Sequence, residues 1–145
     1  MNNVFGDGII KLKQGLLSLK NSYSNVIFYE DYDIYTSDDL DKWEILTARF
    51  ARLSDLVIQK LFTTIMLSLE GYKGTLIDKA NYAEKIGVVE QAKDFTNLKY
   101  VRNFIAHEYT LKDTNEVFEQ VYRLCPLLII FIERTIIFCE KEIIR

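Results

Sequence analysis

The stretch Arg102-Asn103-Phe104-Ile105-Ala106-His107-Glu108-Tyr109 groups a permanent cation, an amide, an imidazole and a phenol within eight residues. His107 is the single histidine of the chain. Asn103 and His107 are four apart, so a helix sets them on one face, about one turn from each other. Arg102 lies about 100° around from Asn103, but its long stem reaches the same space. Imidazole titrates near neutrality and suits proton transfer, while guanidinium stays charged and forks onto phosphate. The combination points to phosphate chemistry without a metal. Blander readings stand beside it. A histidine at a helix end also serves as a cap, and Arg102 and Asn103, flanked by Val101, Phe104 and Ile105, need polar partners, found in each other or in Asp55. Glu108 reads as solvent-facing. Tyr109 falls beyond the expected helix end, with its hydroxyl exposed and modifiable.

A second polar cluster, Arg49, Arg52 and Asp55, lies upstream. Arg52 and Asp55 are three apart and can pair within a helix; the favoured reading is a structural ion pair, the other a guanidinium wall for the same site. Lys93, Lys99, Arg102 and Lys112 give the motif a local basic surplus, or simply a solvated helix face. The net charge is -3 and the pI near 5.2, so no global basic field draws nucleic acid, and any RNA contact by Lys99, Arg49 or Arg52 must be local.

These residues need a rigid frame. Apolar residues make up 49% of the 145 positions and charged residues 27%, ordinary for one soluble domain. Residues 1–36 read as an N-terminal helix plus an aromatic connector, and 37–145 as the bundle carrying the motif. The first helix covers about 4–22, with Ile9, Leu12, Leu16, Leu17 and Leu19 on its apolar side. Strand signals are confined to Asn25–Tyr29 and weak. A long helix spans about 38–70, capped by Thr36 or Ser37, with its stripe through Leu40, Trp43, Leu46, Phe50, Leu53, Val57, Leu61 and Ile65. Gly71 stops it. Thr75 and Asp78 open a short helix ending near Ile86-Gly87; a fourth, about 90–107, ends on the motif; a last runs from about 114 to 142, kinked by Pro126. The expectation is an all-α, up-and-down bundle of about five helices.

Cys125 and Cys139, if on one helix, sit about 21 Å apart, too far for a disulfide; they read as buried thiols of a reducing compartment. No cofactor is implied and no residues are spaced as metal ligands. Leu127–Ile132 is too short to span a bilayer and no basic-then-apolar signal opens the chain, which predicts a cytoplasmic protein with no membrane contact.

With its asparagine and tyrosine, the R-N-x-x-x-H-x-Y pattern resembles the R-x-x-x-x-H motif of HEPN (higher eukaryotes and prokaryotes nucleotide-binding) domains. The tyrosine brings the resemblance closer to the HepT toxins of HepT–MntA toxin–antitoxin pairs. Ala48-Arg-Phe-Ala-Arg-Leu-Ser-Asp55, and Gly74-Thr-Leu-Ile-Asp78 with Glu84-Lys85, look like one branch of those proteins, so the resemblance spans about 43–140. It implies a two-fold homodimer whose motifs face each other and a metal-independent endoribonuclease acting on RNA. Arg102 and His107 would be catalytic, with Asn103 in support. It also implies a partner, an MntA-like nucleotidyltransferase antitoxin that adds AMP to Tyr109.

Such chemistry has a clear physical form. The 2′-OH of RNA attacks the adjacent phosphorus, with a base on that hydroxyl, an acid on the leaving 5′-oxygen and positive charge on the phosphorane. One histidine per chain means that a dimer interface would double the shuttle, which predicts an inactive monomer. Two alternatives remain open: a non-catalytic HEPN subunit that binds a nucleotidyltransferase and helps hold its nucleotide or substrate, and a purely structural helical partner.

Overall fold

Two capping boxes set the frame of the bundle. Thr36 Oγ1 accepts from the backbone N–H of Asp39, and the Asp39 carboxylate accepts from the N–H of Thr36; Thr75 and Asp78 repeat the exchange. Each box satisfies donors that a helix start leaves orphaned. The computed structural model describes residues 3–107 and 111–142. Its helices are α1 (Asn3–Ser24), α2 (Ser37–Ser54), α3 (Phe62–Leu69), α4 (Leu76–Lys85), α5 (Ala92–Ala106) and α6 (Leu111–Glu142). A π-helical turn, Asp55–Leu61, joins α2 to α3 with helical backbone at both junctions. Among the described residues the protein is therefore five helical rods with no strand.

The expected stripe of the long rod is buried from Trp43 to Ile65, with Leu40 half-buried. Past Asp55 it broadens, so that Val57 and Ile58, Leu61 and Phe62, and Ile65 and Met66 are buried in adjacent pairs. Ile58, Leu61, Phe62, Ile65 and Met66 follow the i, i+3, i+4, i+7, i+8 spacing of a broad apolar helical face. Gly71 ends the rod before α4 and Gly87 ends α4 itself, with φ of +82° and +80°, a conformation that costs glycine little.

Two aromatic clusters fill the core. Trp43 stacks on Phe118 with ring centroids 4.7 Å apart and donates its indole N–H to the Ile27 carbonyl at 3.0 Å. Tyr35 packs edge-on against both rings, and its hydroxyl exchanges hydrogen bonds with the Tyr29 backbone. The connector thus buries one tyrosine through a 3-10 turn at Tyr32–Ile34; Asn25–Tyr29 is not a strand. Deeper in, Phe62, Phe95 and Phe131 meet with centroids 5.2 to 5.6 Å apart.

α1 lies antiparallel to α6, with Lys13 paired to Glu140 at 2.9 Å and Lys20 to Glu133 at 3.0 Å. Both pairs are half-exposed, and each contributes no more than about 1 kcal/mol. The α1 core face is Phe5, Ile9, Leu12, Leu16 and Leu19, whereas Leu17, expected on it, is 71% exposed. One residue past Leu16 is about 100° off the seam. Against α2, α1 comes so close at Gly15 that a Cβ there would stand 2.4 Å from Leu53 Cδ2. The last helix begins at Leu111, ahead of the start expected near 114, and Pro126 sits inside it. Both cysteines of α6 are buried, and burial pushes each thiol up to about 12. No helix among the described residues is long and apolar enough to cross a membrane.

Candidate active site

Arg102 to Ala106 of the motif form the last turn of α5, whose start is fixed from two sides. The Glu84 carboxylate of α4 accepts from the N–H of Ala92 at 2.8 Å, and Asp94 accepts from the N–H of Gln91 at 3.2 Å. Phe95, Leu98 and Val101 are buried beneath it, which turns Lys99, Arg102, Asn103 and Ala106 outward along one edge. Together with Asp55, Gln59 and Lys60 they line an open cleft of about 410 Å³. His107 caps α5, exposed, with its backbone N–H donating to the Phe104 carbonyl at 3.1 Å.

Arg102 donates through Nε to Asp55 Oδ1 at 2.9 Å. Holding a guanidinium by Nε leaves both terminal nitrogens available to a second, bidentate acceptor. Asp55 thus pairs across the bundle with Arg102, and among the described residues it makes no ion pair with Arg52 three positions before it. The π turn matters here. With an i→i+5 repeat, residues five apart come close together; in an α-helix they would stand about 140° apart. Asp55 and Lys60 accordingly line the same clefts.

Arg49 and Arg52 face a second, adjoining cleft of about 640 Å³ between α1 and α2. Arg49 is half-buried and donates to the Ser18 carbonyl at 3.0 Å and to the Ser22 hydroxyl, so part of its donor set is committed to α1. Arg52 is exposed. Lys99 has Lys79 of α4 beside it: burial, then the charges of Lys73 and Lys99, push the Lys79 amine below its ordinary value. Lys93 is exposed on the same helix. Tyr109 lies outside the described residues, as do Glu108 and the side chain of Lys112.

The structure thus brings Arg102, Asn103 and Lys99 together, sets His107 at the end of the same turn, and gives Arg49 and Arg52 to the neighbouring cleft. Gln59 and Lys60 were not foreseen; no local signal in Asp55-Leu-Val-Ile-Gln-Lys-Leu61 announces the turn that places them. Among the described residues no group of three or more histidine, cysteine or acidic side chains is placed to hold a metal. Chemically, the motif cleft presents a positioned guanidinium, two ammonium groups and two amides, with His107 outside its lining at the end of α5, a set matched to a phosphodiester.

Comparison with known proteins finds no matching family model, curated protein or solved structure.

Proposed function

We propose that this protein is a metal-independent endoribonuclease of the HEPN type, the toxin of a toxin–antitoxin pair. The observation that carries the reading is Arg102, fixed through Nε by Asp55 on the rim of an open cleft that also holds Asn103, Lys99 and Lys60, one turn from His107. In this reading Arg102 and Lys60 meet the phosphate charge, Asn103 hydrogen-bonds a phosphate oxygen or orients the imidazole, and Asp55 is a positioning residue. His107 of one protomer takes the 2′-OH proton. The new O2′–P bond forms as the P–O5′ bond breaks, and His107 of the second protomer protonates the leaving 5′-oxygen. The product is a 2′,3′-cyclic phosphate. The two-fold dimer is part of the proposal, because one imidazole per chain supplies only one of the two proton transfers at a time.

Neutralisation belongs to a nucleotidyltransferase partner that transfers AMP to Tyr109. The added phosphodiester would put negative charge close to Arg102, where the RNA phosphate must sit. Mass analysis of the co-expressed pair reads this as an AMP-sized gain on the Tyr109 peptide.

The test is incubation of wild-type and His107→Ala protein with total RNA in excess EDTA, followed by analysis of the ends. The expected result is cleavage by wild type alone, leaving 2′,3′-cyclic phosphate, since acid–base help is worth roughly 10²–10⁴-fold per group. A folded, dimeric, unmodified wild type that leaves RNA intact overturns it. The Asp55–Arg102 pair also fits a second reading, a non-catalytic subunit that docks a nucleotidyltransferase, in which His107→Ala changes nothing.

A further inference from the structure

We infer that the cleft between α1 and α2 is a second phosphodiester-binding site, which carries single-stranded RNA away from the motif cleft. The inference rests on the nuclease reading and extends it to the N-terminal helix. Asp55 and Lys60 line both clefts, so the two adjoin at the π turn. A strand whose phosphate sits against Arg102 has the adjoining clefts as a path across the long rod.

The chemistry of the α1–α2 cleft suits a polyanion. It presents Lys11, Arg49, Arg52 and Lys60, and its one acidic residue, Asp55, is already paired with Arg102. This surplus occurs in a chain of net charge -3. The compensating acids gather elsewhere: Glu30, Asp31, Asp33, Glu116 and Glu119 line a separate cleft. Arg49 is held in place by Ser18 and Ser22 of the opposite bank, while Lys11 and Arg52 are exposed and, among the described residues, make no ion pair. Leu56, half-buried, gives the floor apolar surface on which a base can rest. From Arg49 to Lys60 the rod rises about 16 Å, enough for a few successive phosphates. Gly15 fixes the width, since any side chain there would push α1 off Leu53.

The test measures binding of a fluorescent, 2′-O-methylated single-stranded 12-mer, which keeps the phosphates of RNA but lacks the attacking hydroxyl. Anisotropy titrations across a salt series compare wild type, Lys11→Ala/Arg52→Ala and Lys99→Ala/Arg102→Ala, with melting curves as fold controls. For single strands the salt slope falls by about 0.7 per lost phosphate contact. Lys11→Ala/Arg52→Ala should therefore flatten the slope by about 1.4, weaken binding at least tenfold at low salt, and leave Tm unchanged. If that variant binds as wild type does while Lys99→Ala/Arg102→Ala binds poorly, RNA stops at the motif cleft; the second site is then refuted and the nuclease reading stands. If wild type itself binds the 12-mer no better at low salt than in 1 M salt, both readings fall together.

Discussion

Asp55→Asn keeps the shape of the side chain and removes its charge, which separates what the Asp55–Arg102 pair does for the fold from what it does for the site. The two side chains keep 40% and 27% of their surface exposed. Water screens such a contact, so its share of folding free energy is below about 1 kcal/mol. For 145 residues that is a Tm shift of no more than about 4 °C. Cleavage should suffer more. The amide oxygen that replaces the carboxylate still accepts from Nε, so what is lost is the charge-assisted part of the bond, roughly 1–1.5 kcal/mol, which holds the terminal nitrogens toward the cleft and is worth roughly 5- to 13-fold in kcat/KM. Arg102→Lys is the complement: it preserves charge, but one nitrogen cannot serve Asp55 and the phosphate as a fork. Both variants should melt near wild type and cut a quenched fluorescent RNA at least about five times more slowly. The reasoning is refuted if Asp55→Asn drops Tm by far more than about 4 °C while the folded protein cuts at the wild-type rate; the pair then serves the fold alone.

Two glycines of α1 should respond oppositely to alanine. A Cβ at Gly8 meets Leu61 Cδ1 at 3.6 Å, ordinary contact, so Gly8→Ala gains about 0.8–1.0 kcal/mol of helix propensity and raises Tm by a few degrees. Gly15→Ala carries the same propensity gain against the 2.4 Å clash with Leu53, where overpacking costs about 1–3 kcal/mol; calorimetry should place it at or below wild type, and a clear rise would show that α1 shifts freely. Cys125 and Cys139, pushed up to about 12 by burial, should resist iodoacetamide at pH 8 in the native protein and react in guanidinium. Labelling of the folded state would contradict their packing. At Lys79 the folded amine releases its proton below the ordinary 10.5, so the unfolded state binds more protons. The contribution of this group to stability therefore rises with pH, from its lowered folded value up to 10.5, and then levels off. Lys79→Met should flatten Tm against pH in that window; an unchanged profile would remove the charge crowding with Lys73 and Lys99.

What the sequence discloses depends on how local its physics is. Thr75 with Asp78 is legible because a capping box is complete within four residues, whereas the start of the long rod offers both Thr36 and Ser37 as caps and the structure uses Thr36. The stripe from Trp43 to Ile65 and the stops at Gly71 and Gly87 follow from periodicity and from backbone freedom. The placement of Arg102 and Asn103 on the edge of a helix that ends at His107 was equally readable. The π turn was not: Asp55–Leu61 contains neither proline nor glycine, and its extra residue per turn answers to packing against α1 and α5. For the same reason Lys60 stayed unseen, and Asp55 had two candidate arginines until the bundle brought Arg102 within 2.9 Å. Leu17 was misplaced because a run of leucines in α1 hides which one drops off the seam.

The contribution of α6 to both aromatic clusters has a bearing on how the chain reaches its fold. Phe118 closes the Trp43 stack and Phe131 closes the Phe62–Phe95 group, while Lys13 and Lys20 wait for partners 127 and 113 positions away. Local helices form in about a microsecond, but distant partners must first meet the entropy of a long loop. On a ribosome, α1 to α5 therefore emerge before the element that seals them, and the seam they share stays open to water and to chaperones. Completion of both aromatic clusters therefore waits on the arrival of α6, the last of these helices to be made.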